Sequence, residues 1–161
     1  MTDSQLVADF TSKSGTKIPK VPGLMNKEET LFIIKMMLDE IMELGATVAG
    51  PEEVKMNMIN MINESKDINL EIEKMTEDEL IAEQADAFVD VYYFMQNAAC
   101  KKGINLSKIF QVVHKANMNK RFPDGMFHKR EDGKIIKPLN WEEPNVTKEI
   151  INQFKNGNEL I

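Results

Sequence analysis

Apolar residues recur at intervals of three and four along most of this chain, and glycines, prolines and capping residues divide the periodic stretches into segments. That pattern predicts helices throughout. Residues Ser4 to Ser12 form a short first helix, stopped by Gly15 and followed by the extended segment IPKVPG, whose Pro19 and Pro22 do not continue a helix. A stronger helix runs from Lys27 to Leu44. Asn26 caps it with Glu29 three residues on, Met25 packs back as a staple, and Gly45 falls just past the last apolar position, where a left-handed residue is common. Gly50 and Pro51 open a middle segment, PEEVKMNMINMINESKD, in which Val54, Met58, Met61 and Ile62 recur at helical spacing. Thr76 and Glu79 make a second capping box, and no breaker appears before Gly103, so a long helix spans Glu77 to Lys102. Asn105 caps a further helix reaching Arg121, stopped by Phe122, Pro123 and Gly125. In MFHKREDGKIIK, Asp132 and Gly133 lie between two short extended runs, the pattern of a two-residue β-hairpin, and a short last helix follows Asn145. The fold class is all-α with that small C-terminal hairpin.

The Glu77 to Lys102 stretch is apolar on nearly every side, through Leu80, Ile81, Phe88, Val89, Val91, Phe94 and Met95, which predicts a central, buried helix. Tyr92 and Tyr93 read as core residues and Cys100 as a small buried hydrophobe. Composition adds bounds. The 161 residues suit one domain, and 12 Met against 2 Tyr and 1 Trp favour helices over sheets. A net charge of −6 argues against a protein that grips nucleic acid through many phosphate contacts. One cysteine forms no internal disulfide and no thiolate zinc site. The start, MTDSQLVADF, lacks the basic and apolar regions of a signal peptide, and no apolar stretch approaches membrane-spanning length, so a cytoplasmic protein is expected.

The candidate chemistry lies in acids that interrupt the apolar helices. Glu83, Asp86 and Asp90 follow one another at spacings of three and four, which places them within about 60° on one helical face. The Lys27 to Leu44 helix has Asp39, then Glu40 and Glu43 at a spacing of three, with Lys35 its only base between Lys27 and its end. If these helices pack side by side, four carboxylates face one another with few bases to neutralise them. A hard divalent cation resolves that crowding, and Mg²⁺ commonly combines carboxylates with substrate phosphates and water. A solvated acidic face is the competing reading; it stays open for Glu40 and Glu43 taken by themselves and is weaker for Glu83, Asp86 and Asp90, which have hardly a polar face to belong to. The sequence lacks the Glu-x-x-His pairs of a di-iron site, an EF-hand loop and a glycine-rich phosphate loop. Farther on, His114, Asn117 and Arg121 are spaced to line one helical face, flanked by Lys115 and Lys120 as a local basic cluster suited to phosphate; an exposed polar face ending in dipole-favoured cations explains the same pattern. His128 reads as a surface strand residue and Trp141 as a packing or interface residue.

LDEIMEL at residues 38–44 and AEQADAFVD at residues 82–90 resemble the ExxE…ExxD signature of the all-α nucleotide pyrophosphohydrolases, a superfamily that includes MazG, dimeric dUTPases and phosphoribosyl-ATP pyrophosphohydrolase. VADFTSKSGTKIPKVP and VVHKANMNKRFPDGMFHKREDGKIIKPLNW are similar to the beginning and end of small MazG-like proteins, so the resemblance covers most of the chain. It implies a MazG-like helical bundle completed by oligomerisation, as a homodimer or homotetramer. It further implies Glu40, Glu43, Glu83 and Asp86 as ligands of Mg²⁺, with Mn²⁺ a substitute metal and Asp90 an additional candidate. Asp39 would help order the attacking water, with Asp39 or Glu43 accepting its proton. Asn117 and Lys120, in the NMNK stretch, match residues that contact substrate phosphate, with Arg121 and His114 beside them. The segment from Pro51 to Asp67 lengthens the interval between the two acid pairs and departs from compact members.

These expectations amount to hydrolysis of a nucleoside triphosphate to a monophosphate and pyrophosphate, as in house-cleaning of (deoxy)nucleotides. Two alternatives accompany them. One is a catalytically silent scaffold of the same fold that binds nucleotide or a protein, for which the Met-rich segment with Met56, Met58 and Met61 is an adaptable surface. The other is an enzyme of narrow dUTPase-like or dCTPase-like specificity.

Overall fold

The structure is a computed structural model that describes residues 1–65, 67–157 and 160; Lys66, in the middle segment, lies outside them. Its regular elements are α1 (Asp3–Lys13), α2 (Lys27–Ala46), α3 (Pro51–Asn63), a 3-10 turn (Ile72–Lys74), α4 (Glu77–Cys100), α5 (Leu106–Met118) and α6 (Val146–Asn156). The all-α class follows from local signals. Asn26 and Glu29 close a reciprocal box at the start of α2, as Thr2 and Gln5 do for α1. The Thr76 hydroxyl accepts the Glu79 N–H while the Glu79 carboxylate takes the Thr76 N–H at 2.8 Å. Asn105 and Asn145 cap α5 and α6, and Pro51 occupies the first turn of α3, where its missing N–H costs nothing.

The chain divides into two compact units, Met1–Val21 with Ala87–Ile161, and Pro22–Asp86, with the boundary inside α4. In Pro22–Asp86, α3 packs on α2 through Gly45. A Cβ there would stand 2.6 Å from Val54 Cγ1, so the bare Cα admits Val54, one of the few buried apolar residues among those described. This corrects the expectation for Gly45: α2 passes through it and ends at Ala46. In the same unit the Gln84 amide brackets Met25, accepting its N–H at 3.0 Å and donating to its carbonyl at 3.1 Å, which ties the approach to α2 to the first half of α4.

In the other unit, α5 packs against α1 and α6. Gln153 of α6 is buried and satisfied by Asn105, accepting its N–H at 2.9 Å and donating to its carbonyl at 3.2 Å. The Ser107 hydroxyl bonds Asp3 at 3.1 Å, and Phe10 meets Phe127 edge to face at 5.4 Å.

Two further expectations fail. The long helix α4 is not buried within one chain: Tyr93 and Phe94 are 68% and 67% exposed, and Tyr92, Phe88 and Cys100 are exposed as well. Leu31, Ile34, Leu38, Ile41 and Leu44 of α2 share that condition, and no large side chain among the described residues is fully enclosed. The apolar periodicity is present, but among the described residues these side chains stay uncovered. The two-residue hairpin is likewise absent among the described residues, where an isolated antiparallel bridge joins Lys129 and Ile135. Asp132 supports this turn, accepting the Lys134 N–H at 3.1 Å and bonding the Arg130 guanidinium. The backbone pairs only briefly, Arg130 N–H donating to Lys134 O at 2.9 Å and Ile136 N–H to His128 O at 2.8 Å, too short a run to make strands. No helix among the described residues is long and apolar enough to cross a membrane.

Candidate functional site

Glu40 and Glu43 stand on the second half of α2, and Glu83 and Asp86 on the first half of α4. Helical spacing keeps each pair on one face. All four are exposed, and among the described residues none forms an ion pair or a side-chain hydrogen bond. No group of three or more His, Cys, Asp or Glu able to hold a metal occurs among the described residues of the single chain. The crowding of buried acids expected from the apolar pattern is therefore not present here, because α4 faces solvent. Asp39 receives both contacts of Lys35, at 3.1 and 3.2 Å. An exposed pair of this kind contributes at most about 1 kcal/mol, so it does not withdraw Asp39 from other work. Asp90 lies a turn beyond Asp86, also exposed.

The basic residues are set differently. α5 ends at Met118, so Lys120 and Arg121 leave the helical face that carries His114 and Asn117, and the one-face reading holds only for the latter two. His114 lies half-buried and parallel to Phe110, with 6.5 Å between ring centroids, and Asn117 is also half-buried. The last carbonyls of a helix lack intrahelical donors. One of them, Ala116, accepts the indole N–H of Trp141 at 2.7 Å, which fixes that ring against the end of α5. Two ammonium groups then gather on it: Lys137 Nζ is 4.1 Å and Lys120 Nζ 5.6 Å from the ring centroid. Burial holds the Lys120 ammonium below its ordinary pKa, and the charges of Lys137 and Lys134 push it the same way.

Arg121 stacks over Phe127 at 5.4 Å, and an open cleft of about 580 Å³ beside it is lined by Lys13, Met118, Asn119, Arg121, Asn140 and Glu142. His128 is exposed, as expected, but belongs to no strand; its Nε2 contacts the Asp124 carboxylate at 2.8 Å and its ring meets Phe122 edge to face. Trp141 does pack, as read from the sequence, yet the lysine pair it organises was missed. Lys137 and Trp141 sit outside any helical period, so spacing gave no reason to join them to Lys120.

Helices bearing paired carboxylates, with a basic segment after α5, make an all-α protein consistent with the MazG-like resemblance read from the sequence. The fold is shared with a crystal structure from Exiguobacterium sp. 255-15 of a provisionally assigned NTP pyrophosphohydrolase: the TM-score is 0.74 over 95% of this chain and 96% of that one, at 22% identity. The model of the phosphoribosyl-ATP pyrophosphohydrolase family matches residues 7–117, and this chain belongs to that family. The matched span contains Asp39, both acid pairs, Asp90, His114 and Asn117; Lys120, Arg121, Lys137 and Trp141 fall beyond it. No curated protein matches the chain significantly.

Proposed function

We propose that this protein is a Mg²⁺-dependent nucleoside triphosphate pyrophosphohydrolase, in which water adds across a phosphoric anhydride to release a nucleoside monophosphate and pyrophosphate. The observation that carries this reading is the family match, whose span holds Glu40, Glu43, Glu83 and Asp86 in order. The donor chemistry fits: four carboxylates offer only oxygen ligands, and no cationic side chain among the described residues competes for them. Magnesium held by them would neutralise charge on the phosphate chain and acidify the attacking water. Asp39 or Glu43 would orient that water and accept its proton. Asn117, Lys120 and Arg121, with His114 beside them, would bind phosphate oxygens and offset the charge that grows on the leaving group.

Assembly belongs to the same proposal. The uncovered apolar residues of α2 and α4 support a homo-oligomer, dimer or tetramer, in which those faces become core. Covering them would also lower the local dielectric around the acid pairs, which raises the demand for a cation. House-cleaning of (deoxy)nucleotides in the cytoplasm, and Mn²⁺ as a substitute metal, follow from this reading. The test is a panel of canonical, deoxy and damaged nucleotides with Mg²⁺, scored for pyrophosphate. Release from at least one, lost in Glu40→Gln, is the expected result; its absence across the panel contradicts the proposal.

A second reading is a silent nucleotide-binding or protein-binding scaffold, with which the lack of a three-acid cluster among the described residues of the single chain is also compatible. Calorimetry with Mg²⁺ and a non-hydrolysable nucleotide separates them, since a nucleotide-free interaction module gives no metal-dependent heat. Narrow dUTPase-like or dCTPase-like specificity is the case in which the panel yields a single responsive base.

A further inference from the structure

The segment after α5 mixes six basic with five acidic side chains, and its charges are not all paired. Lys120, Lys134 and Lys137 make no ion pair among the described residues, although Asp124 and Asp132 in the same stretch are engaged by His128 and Arg130. Like charges normally separate, because each exposed ammonium gains from full hydration. Here Lys120 and Lys137 converge on one indole instead, and that ring is pinned by the bond from its N–H to the Ala116 carbonyl. The helix dipole favours a cation at the end of α5, which accounts for Lys120. It does not account for Lys137, which comes from the loop after the Lys129–Ile135 bridge. Two ammonium groups held at one ring match a ligand carrying several negative charges on adjacent oxygens, and a phosphate chain is that ligand.

We infer that Lys137 joins Lys120 in binding the phosphate chain of the nucleotide, with Trp141 as the positioning residue that sets the pair. This rests on the pyrophosphohydrolase reading for the presence of such a substrate and adds Lys137 and Trp141 to its site. Burial of Lys120 strengthens each interaction an anion would make there, and an arriving phosphate would restore the Lys120 ammonium toward its ordinary pKa.

Trp141 is the chain's single tryptophan, so its fluorescence reports on this cluster alone. Inorganic pyrophosphate is titrated into the full chain in buffer without Mg²⁺, and again with it. Wild type should give a saturable change in emission. Lys137→Met should weaken binding at least about tenfold, the loss of one charge-assisted contact. Lys137→Arg should recover most of it. Trp141→Leu, followed by calorimetry because the reporter is gone, should weaken pyrophosphate binding to a similar degree. If Lys137 merely packs on the indole, Lys137→Met will shift the thermal midpoint and leave pyrophosphate affinity unchanged, and the inference is overturned. An emission that stays flat through millimolar pyrophosphate overturns it as well. The two proposals fail separately. A chain that binds pyrophosphate through Lys137 but hydrolyses no nucleotide keeps this site and loses the enzyme; one that hydrolyses nucleotides with Lys137→Met unimpaired keeps the enzyme and loses this site.

Discussion

The acidic and basic residues of this chain are held in opposite ways. Around the end of α5, side chains far apart in sequence are already assembled: Trp141 bonds α5, Lys120 and Lys137 share its ring, and Arg121 lies on Phe127. On α2 and α4, Glu40, Glu43, Glu83 and Asp86 are exposed and, among the described residues, unpartnered, beside apolar side chains that are equally uncovered. The difference teaches where each half gets its order. A basic cluster anchored by an indole N–H and ring contacts needs only its own chain. Acids on apolar helices acquire neighbours when those helices gain a cover, and here the cover is proposed to be another copy.

The largest expected effect comes from the acids. Glu83→Gln removes one oxygen charge from the proposed metal set and should lower pyrophosphate release by at least about a hundredfold, with thermal stability unchanged or raised. Assembly is the next lever. Phe94→Asp should dissociate the oligomer and abolish activity, as sedimentation and turnover would show; were Phe94 to face water in solution as well, the change would cost no more than about 0.5 kcal/mol and leave the mass unaltered. Within the basic cluster, Trp141→Phe keeps a ring but strands the Ala116 carbonyl, which should cost about 1–3 kcal/mol in denaturant unfolding.

Smaller effects sharpen the contrast further. Gly45→Ala brings a methyl into Val54. Overpacking of about 1–3 kcal/mol exceeds the gain in helix propensity of about 1 kcal/mol, so net destabilisation is expected, with Val54→Ala restoring part of it. The smallest concerns Asp124. The Met126 N–H, and next the His128 ring, hold its carboxyl below the ordinary value of 3.8. A group whose folded pKa is depressed contributes above its unfolded pKa and loses that contribution as pH falls through the folded one. Stability should therefore decline as pH drops below 3.8, and Asp124→Asn should flatten that part of the acid limb.

Helix starts were the most legible feature. Asn26, Thr76, Asn105 and Asn145 each cap where the pattern placed them, because a cap is a local bond between residues three apart. Helix ends were less so. Gly45 looked like a terminus, but the contact that decides its role comes from Val54, nine positions on. Periodicity also revealed that α4 is apolar all round without revealing what covers it, and the expectation of burial for Tyr92, Tyr93 and Cys100 failed on that point. The acid pairs were visible as spacing and as resemblance. The lysine pair was invisible, since a loop contact such as Lys137 on Trp141 leaves no period to detect.

The central claim is that the carboxylates of α2 and α4 jointly serve a magnesium-dependent hydrolysis. It is tested most directly by measuring pyrophosphate release from the most responsive nucleotide against Mg²⁺ concentration, for wild type, Glu40→Gln, Glu83→Gln and the double variant. Acids that act on one metal predict a saturable Mg²⁺ dependence in wild type, near-complete loss in each single variant, and little further loss in the double. Magnesium-independent release, or single variants that retain wild-type rates, would contradict the account.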